Sequence, residues 1–330
     1  MDTLIDAFGR QMTYVRLAVT DRCNFRCQYC MPAKGIDIVP RKELLTYKEM
    51  YRVIRVLTEL GVTKVRLTGG EPFARKDFIK FLEMLSHNDL LETINITTNG
   101  ALLKPHLAAL EKLEKIKTIN LSIDSLQAER FNAITRRVAF NDVYETLGLL
   151  LESRFHVKLN VVVQSGVNTD EIPAFMDFVK DKSLAVRFIE EMPFNGKGLR
   201  DTSAVWDYQR ILQAMQAHEK CHPLPVGKSA TAHNFSLDNH LGTVGIIPAY
   251  TRTICGDCNR LRITSTGSFK NCLFDDGVFN LRDFIRSGAS NEELKALFLQ
   301  LVQKKPKNGF VAEANRKGTV VSESMSTIGG

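Results

Sequence analysis

Two spacings of apolar residues alternate along the first 190 residues of the chain. Short apolar runs typical of β-strands recur six times, at residues 15–20, 64–68, 93–98, 117–123, 157–163 and 185–189. Between them lie amphipathic stretches with apolar residues three and four positions apart, at 47–60, 76–85, 105–113, 142–153 and 170–182. Strands that alternate with helices in this way predict a parallel sheet.

The number of strand–helix units decides the kind of parallel fold. Six units are too few for a closed eight-unit barrel, so the sequence predicts an α/β fold with an incomplete (βα)6 barrel of the TIM type, open on one side. In barrels of this type the chemistry lies at the carboxyl ends of the strands. We expect the functional residues of this chain at that rim.

Unusual residues follow most of the predicted strands. The first strand is followed by a loop with three cysteines, and the others carry, in order, Gly69-Gly-Glu-Pro72, Thr97-Thr-Asn-Gly100, Ser122 with Asp124, and Glu190-Glu-Met192. Glycines allow the backbone to approach a ligand closely. These segments are predicted to gather around one site.

The regular alternation ends after Met192. Residues 193–198 are predicted to be a linker, followed by a helix at 206–217, hairpins at 234–247 and 260–272, and helices at 281–286 and 292–302. The polar tail from Lys304 onward is expected to be disordered. We therefore predict two domains, a barrel at 1–193 and a C-terminal domain at 194–330 that closes its open side.

Composition narrows the class of protein. The 330 residues are 44% hydrophobic, without an apolar stretch of membrane-spanning length or a signal-peptide pattern, which predicts a cytoplasmic protein with no membrane partner. The formal net charge is +7, but the longest basic cluster is the modest Lys304-Lys-Pro-Lys307. Scattered cations favour a small anionic substrate over nucleic acid.

Six of the seven cysteines fall into two tight groups. Cys23, Cys27 and Cys30 form a Cys-x3-Cys-x2-Cys loop, and three thiolates would leave one iron of a [4Fe-4S] cluster free to bind another molecule. The second group, Cys255, Cys258 and Cys272, leaves two alternatives open. These are a structural zinc site completed by an upstream histidine, His233 or His240, or a second cluster. Cys221 is interpreted as a bystander.

The first cysteine loop, with Tyr29 before its last cysteine, resembles that of the radical SAM enzymes. The order of that loop, the GGEP and TTNG segments, the second cysteine group with Arg260-x-Arg262 inside it, and the terminal Gly329-Gly330 resembles the GTP cyclase family of molybdenum-cofactor biosynthesis. The resemblance runs from about Arg10 to the last residue. It implies two [4Fe-4S] clusters, one per cysteine group, and S-adenosylmethionine (SAM) at the first.

The same resemblance implies roles for further residues. Those matched to SAM contacts are Tyr29, Gly70, Ser122 and Met192. Those matched to positions around GTP are Arg16, Arg66, Thr97, Lys158, Arg187, Arg260 and Arg262. The Gly329-Gly330 tail is implied to enter the active site and take part in catalysis. The segment Thr135-Arg-Arg137 departs slightly from the glycine-containing form of relatives.

The implied reaction is radical cyclisation of GTP to 3′,8-cyclo-GTP. A 5′-deoxyadenosyl radical from SAM takes the hydrogen from ribose carbon 3′, and the ribose radical attacks guanine carbon 8. The implied partners are an electron donor, the next enzyme of the pathway (cyclic pyranopterin monophosphate synthase) and a second copy of the chain. Two alternative functions are a radical SAM enzyme that modifies peptides and a non-catalytic iron–sulfur or zinc protein that binds nucleic acid.

Overall fold

The computed structural model describes residues 3–192, 205–316 and 325–329. The predicted six parallel strands are confirmed as β1 Tyr14–Ala18, β2 Lys64–Thr68, β3 Thr93–Thr98, β4 Ile116–Ser122, β5 His156–Val163 and β6 Ala185–Glu190. The helices between them are α1 Tyr47–Glu59, α2 Phe78–Ser86, α3 Leu107–Glu111, α4 Ala128–Thr135, α5 Phe140–Leu151 and α6 Ile172–Phe178. The incomplete barrel is therefore the observed architecture.

Helix α1 shows how local sequence sets these elements. The Thr46 hydroxyl accepts a hydrogen bond from the Glu49 backbone N–H, and the Glu49 side chain accepts one from the Thr46 N–H, which fixes the first turn. Met50, Val53 and Leu57 lie on one side and are fully buried against the sheet. The periodic spacing seen in the sequence is the buried face of the helix.

Helix α4 is an element that the sequence did not predict. It is only eight residues long and buries little more than Phe131, Ile134 and Thr135. An apolar stripe of that size is too short to establish a helical period. The fourth unit therefore contains two consecutive helices, α4 and α5.

The C-terminal part adds further elements. Its helices are α7 Tyr208–His218, α8 Leu281–Arg286, α9 Asn291–Gln303, α10 Gly309–Ala314 and α11 Met325–Ile328. Its strands are β7 Cys221–Pro223, β8 His233–Leu237, β9 Thr243–Ile247, β10 Arg260–Ile263, β11 Ser268–Lys270 and β12 Phe279–Asn280. The two predicted hairpins are confirmed as the antiparallel pairs β8–β9 and β10–β11.

The C-terminal strands join the barrel sheet at both of its edges. In the described part of the chain all strands form one sheet of 12 strands, in the order β12-β11-β10-β1-β2-β3-β4-β5-β6-β9-β8-β7. Strand β10 lies parallel to β1, and β9 lies parallel to β6. The C-terminal part thus extends the open barrel from either side, and the division into two domains near residue 193 stays a prediction.

The tail differs from the expectation of disorder. Lys305 is buried and α10 is helical, because Asn308 caps its first turn and Ala312 packs against Phe274 and Ile328. The predicted linker at 193–198 and Gly330 lie outside the described residues. Among the described helices, none has both the length and the apolar character needed to cross a membrane.

Candidate active site

One cavity inside the barrel brings the predicted site residues together. All those in the described part of the chain line it, with the exceptions of Lys158 and Gly329. The lining residues include Cys23, Cys27, Cys30, Cys255, Cys258, Cys272, Tyr29, Gly70, Ser122, Met192, Arg16, Arg66, Thr97, Arg187, Arg260 and Arg262. Residues far apart in sequence therefore share one chamber.

The first cysteine loop is held by the end of α4. The backbone N–H groups of Arg26 and Gln28 donate to the carbonyls of Thr135 (3.0 Å) and Ile134 (3.0 Å), and the Arg136 guanidinium donates to the Arg26 carbonyl at 2.9 Å. The departure from the family pattern at 135–137 thus lies in the segment that supports the loop. No pattern in the sequence predicts this contact.

Burial and nearby carboxylates oppose ionisation of two thiols of the first cysteine loop. Burial, assisted by the negative charge of Glu71, raises the pKa of Cys23 to about 12. Burial and the neighbouring Asp124 also raise the pKa of Cys27. These cysteines are free thiols, so ionisation in this setting requires a cation that binds sulfur. An iron–sulfur cluster provides one, and the three thiols fit it.

Gly69 and Gly70 make a backbone contact that the sequence analysis did not predict. A side chain on Gly69 would lie 2.3 Å from the Thr20 carbonyl oxygen, and one on Gly70 would lie 2.1 Å from the Arg22 carbonyl oxygen. The Gly70 N–H donates to the Thr20 carbonyl at 2.8 Å. The two glycines therefore allow their segment to pack closely against the backbone that leads into the first cysteine loop. Both glycines also line the cavity.

Glu71, the acid of the GGEP segment, is buried and holds neighbouring segments through hydrogen bonds. Its carboxylate accepts hydrogen bonds from the Thr98 hydroxyl (2.8 Å), the Asn99 N–H (2.7 Å) and the Phe73 N–H (3.1 Å). Burial raises its pKa to about 7, against the opposing effect of these donors. It joins the segment after β2 to the segment after β3 at the barrel rim.

The predicted SAM contacts meet near Asp124. The Tyr29 hydroxyl donates to Asp124 at 3.0 Å, and the other carboxylate oxygen accepts from the Val162 N–H at 2.8 Å. Burial raises the pKa of Asp124 to about 6. Because Ser122 and Met192 line the same cavity, these side chains surround a space beside the first cysteine loop.

The second cysteine group lies at the opposite end of the strands. Cys255 and Cys258 precede β10, which is parallel to β1, and Arg260 pairs with Tyr14 at the start of β1. The first cysteine loop follows the end of β1, so about one strand length, roughly 15 Å, separates the two groups. Cys272 follows β11, which runs back antiparallel to β10, and so returns to the same end.

The surroundings of the second group are cationic. Burial opposes ionisation of Cys258, but the charges of Lys305 and Arg260 outweigh it and lower the pKa of this thiol to about 6. The Arg260 Nε donates to the Cys258 sulfur at 3.4 Å. This setting favours the thiolate of Cys258, the form that binds iron, whereas burial raises the pKa of Cys272.

The histidines needed for a zinc site are engaged elsewhere. His240 lies in the β8–β9 turn, 3.5 Å from a Glu219 carboxylate oxygen, and His233 packs edge-on against the Tyr208 ring. Neither lines the cavity. In the described part of the chain, no group of three or more His, Cys, Asp and Glu side chains is arranged to hold a single metal ion.

A row of arginines crosses the barrel between the two cysteine groups. Arg262 of β10, Arg16 of β1 and Arg66 of β2 are register partners on three adjacent strands. Burial, and then the nearby Arg262, lowers the pKa of Arg16, whose buried Nε has no hydrogen-bond partner among the described residues. Arg66 donates to the Tyr14 hydroxyl at 2.5 Å.

Two further cations lie on the facing strands. Arg187 donates to the side-chain oxygens of Asn120 and, at 2.7 Å, Asn160. Lys158 lies on the same face of β5 as Asn160 and Val162, both of which line the cavity. Burial, and then the charges of Arg187 and Arg66, lowers the pKa of Lys158 to about 8.

The described end of the tail reaches this row. Arg262 donates to the Gly329 carbonyl at 2.8 Å, and a side chain at Gly329 would come within 2.7 Å of Thr68. Met325 and Ser326 line the cavity. Ile328 packs with Phe274 and Ala312 in a small buried cluster, and Met325 packs against that cluster.

Several lining residues lie outside the segments that the sequence singled out, namely Tyr14, Asn160, Arg252 and Asn271. Glu190 was placed at the rim by its position after β6, but its role is structural. Its carboxylate accepts from the N–H groups of Tyr208 (2.6 Å), Tyr250 (2.6 Å) and Thr251 (2.7 Å). Only the strand register reveals Tyr14 and Asn160, since neither residue type is distinctive in sequence.

Two sequence profiles match the chain and together cover most of it. That of the radical SAM superfamily matches residues 17–179, and that named Molybdenum Cofactor Synthesis C matches residues 184–311. Among curated proteins, the mitochondrial GTP 3′,8-cyclase of Arabidopsis thaliana is 38% identical over 92% of this chain and 78% of its own length. The GTP 3′,8-cyclase of Desulforamulus reducens is 37% identical over 99% of this chain and 100% of its own length.

Animal relatives are longer than this chain. The molybdenum cofactor biosynthesis protein 1 of Drosophila melanogaster is 40% identical over 92% of this chain, but the match spans only 54% of that protein. Among solved structures, that of anSMEcpe with bound AdoMet has a TM-score of 0.58 at 16% identity, over 91% of this chain and 84% of that one. SuiB bound to S-adenosylmethionine has a TM-score of 0.55 at 16% identity, covering 88% and 68%. These two likenesses support the fold.

Proposed function

Because the chain belongs to the GTP 3′,8-cyclase family of radical SAM enzymes, we propose that it converts GTP to (8S)-3′,8-cyclo-7,8-dihydroguanosine 5′-triphosphate. This carbon–carbon bond-forming step is the first of molybdenum cofactor biosynthesis. The observation that carries the proposal is the single cavity in which two three-thiol groups lie at opposite strand ends with a row of arginines between them. A nucleotide in that cavity would lie between the two groups.

The six clustered thiols would hold the cofactors. Cys23, Cys27 and Cys30 would hold the [4Fe-4S] cluster that binds SAM, and Cys255, Cys258 and Cys272 would hold a second cluster near the guanine base. When bound, the first cluster supplies the electron that cleaves SAM to methionine and a 5′-deoxyadenosyl radical. Tyr29, Gly70, Ser122 and Met192 would position SAM beside it.

The inward-facing cations would hold the triphosphate. Arg16, Arg66 and Arg262 come from three adjacent strands, and arginine suits bidentate contacts to phosphate oxygens. Lys158 and Arg187 would act from the facing strands, with Thr97 and Arg260 completing the contacts. In this placement the ribose would lie on the side of the first cysteine loop, near the residues that would position SAM.

Partners follow from the reaction. Each turnover needs an electron donor for the first cluster, and the product passes to cyclic pyranopterin monophosphate synthase. A homodimer remains a further proposal. Gly329 and Gly330 are proposed to complete the cavity at the arginine row, since the Gly329 carbonyl already binds Arg262.

The test is anaerobic turnover of reconstituted protein with SAM, dithionite and GTP. We expect about eight irons per chain, together with 5′-deoxyadenosine and a cyclised nucleotide detected by mass spectrometry. Replacing Cys23, Cys27 and Cys30 by Ser abolishes both products. Replacing Cys255, Cys258 and Cys272 spares part of the SAM cleavage and removes cyclisation. Four irons with one zinc would contradict the two-cluster proposal.

A further inference from the structure

A buried lysine joins the two arms of the second cysteine group. Lys305 follows α9 and is 3% exposed. Its Nζ donates to the carbonyl oxygens of Arg260 at 2.8 Å and Asn271 at 2.5 Å. Arg260 follows Cys258 by two residues, and Asn271 directly precedes Cys272. The ammonium thus connects the backbone segments that carry these two thiols.

The charge of Lys305 is not neutralised by an ion pair among the described residues. The thiols of Cys258 and Cys272 lie near enough to interact with this charge, as do the cations Arg10 and Arg260. Asp275 lies near enough to interact, but its two oxygens accept from the N–H groups of Cys272 (2.7 Å) and Gly277 (2.9 Å). Arg10 is already paired with Asp6 at 2.7 Å.

A buried ammonium costs several kcal/mol unless anions neutralise it. Carbonyl oxygens satisfy the N–H groups of Lys305 but carry no net charge. The thiolates of an occupied cluster would supply negative charge at this position. If Cys258 and Cys272 remained neutral thiols, Lys305 would have no ion-pair partner among the described residues.

We propose that Lys305 is a positioning residue for the second cluster. Its ammonium group fixes the two cysteine arms and raises the reduction potential of that cluster. The inference rests on the proposed second cluster. Reduction adds one negative charge, which a nearby buried cation stabilises more strongly than the oxidised state. Neither the family resemblance nor the cysteine spacing assigned a role to this lysine.

The experiment uses the full chain with Cys23, Cys27 and Cys30 replaced by Ser, so that only the second cluster is observed. Lys305→Met removes the charge and Lys305→Arg keeps it. Lys304→Met is the matched control, since Lys304 is the adjacent but exposed lysine. Each reconstituted variant is analysed for iron, sulfide and zinc, and its midpoint potential is measured by a redox titration followed by electron paramagnetic resonance.

We expect Lys305→Met to disfavour one-electron reduction at least tenfold. A tenfold change corresponds to a midpoint potential about 59 mV lower for a one-electron step. Lys304→Met and Lys305→Arg should keep the parent potential. A Lys305→Met chain with full iron content and the potential of the Lys304→Met chain would overturn the inference.

If Lys305→Met loses its cluster, the iron content of Lys305→Arg shows whether the charge of the side chain is responsible. Retention of the cluster by Lys305→Arg at the parent potential then supports the role of the charge, whereas loss of iron from both variants overturns it. Zinc in place of iron in the parent chain contradicts the two-cluster proposal itself, and the inference with it. Metal analysis thus separates failure of the inference from failure of the proposed function.

Discussion

At the scale of single residues, the inner face of the barrel carries positive charge with uncharged partners. Arg66 binds the Tyr14 and Thr97 hydroxyls, Arg187 binds two asparagine side chains, and Arg262 binds a backbone carbonyl. None of these arginines has a carboxylate partner among the described ion pairs. Their described hydrogen bonds are to uncharged groups, and the buried Nε of Arg187 has no hydrogen-bond partner among the described residues. Uncompensated cations of this kind are the arrangement expected of a site built for a polyanion.

Lys158 provides a pH-dependent test of that interpretation. Its pKa is lowered to about 8, so the side chain is cationic at pH 7 and loses its charge as the pH rises through that value. GTP affinity of the wild-type protein should therefore fall between about pH 7 and pH 9, measured by anaerobic calorimetry. Lys158→Met should bind GTP about tenfold to a hundredfold more weakly at pH 7 and lose the part of this pH dependence due to Lys158.

The matched control for Lys158→Met is Lys117→Met. Lys117 is an exposed lysine on the neighbouring strand β4. Its replacement should leave both the affinity and its pH profile unchanged. Unaltered GTP binding by Lys158→Met would remove this residue from the proposed phosphate site, whereas an equal loss for guanosine would show that the contact is not to phosphate.

At the scale of elements, the barrel rim is held by backbone contacts between consecutive strand ends. The N–H groups of Gly70 and Glu71 donate to the carbonyls of Thr20 and Arg22, each at 2.8 Å. The Glu71 carboxylate then holds the segment after β3. The first cysteine loop is therefore positioned by a chain of contacts that begins two strands away.

Gly70→Ala tests this docking. The added methyl carbon would lie 2.1 Å from the Arg22 carbonyl oxygen, so the segment must shift away from the loop that carries Cys23. We expect loss of iron from the first cluster and at least a hundredfold loss of SAM cleavage, with the second cluster retained. Gly148→Ala is the control, since a methyl group there meets no atom within 4 Å. An iron content in Gly70→Ala equal to that control would contradict the proposed role of the contact.

The elements also show how far the sequence could predict the molecule. The six barrel strands and the two hairpins follow from short-range patterns, and strand–loop order placed Cys23, Gly70 and Ser122 at one rim. The pairing of β9 with β6 and of β10 with β1 depends on contacts distant in sequence, which no local pattern encodes. Lys305 lies in a polar stretch that was expected to be disordered, and only tertiary packing buries it.

At the scale of the whole molecule, the C-terminal part completes the cavity that the barrel begins. Strand β10 adds Arg260 and Arg262 beside Arg16, and the second cysteine group comes to the end of the strands opposite the first. The described tail returns to the same place, with Gly329 at the arginine row. One sheet therefore carries both cysteine groups and the cations between them.

Deletion of Gly329 and Gly330 tests whether the tail is part of the site. Iron content and SAM binding should remain, since the described hydrogen bonds of Gly329 are to Arg262 and Met325 and not to a cysteine loop. Cyclisation of GTP should fall at least tenfold because Arg262 loses an orienting contact. A short peptide ending in Gly-Gly should restore part of the activity, and full activity of the truncated chain would show that the tail is dispensable.

The proposed function requires that the cavity direct a SAM-derived radical to ribose carbon 3′ of GTP. The most direct measurement is anaerobic turnover with GTP deuterated at carbon 3′, followed by mass spectrometry of the 5′-deoxyadenosine. We expect deuterium in the 5′-deoxyadenosine and an equal amount of cyclised nucleotide. SAM cleavage that yields unlabelled 5′-deoxyadenosine, with GTP unchanged, would contradict the claim.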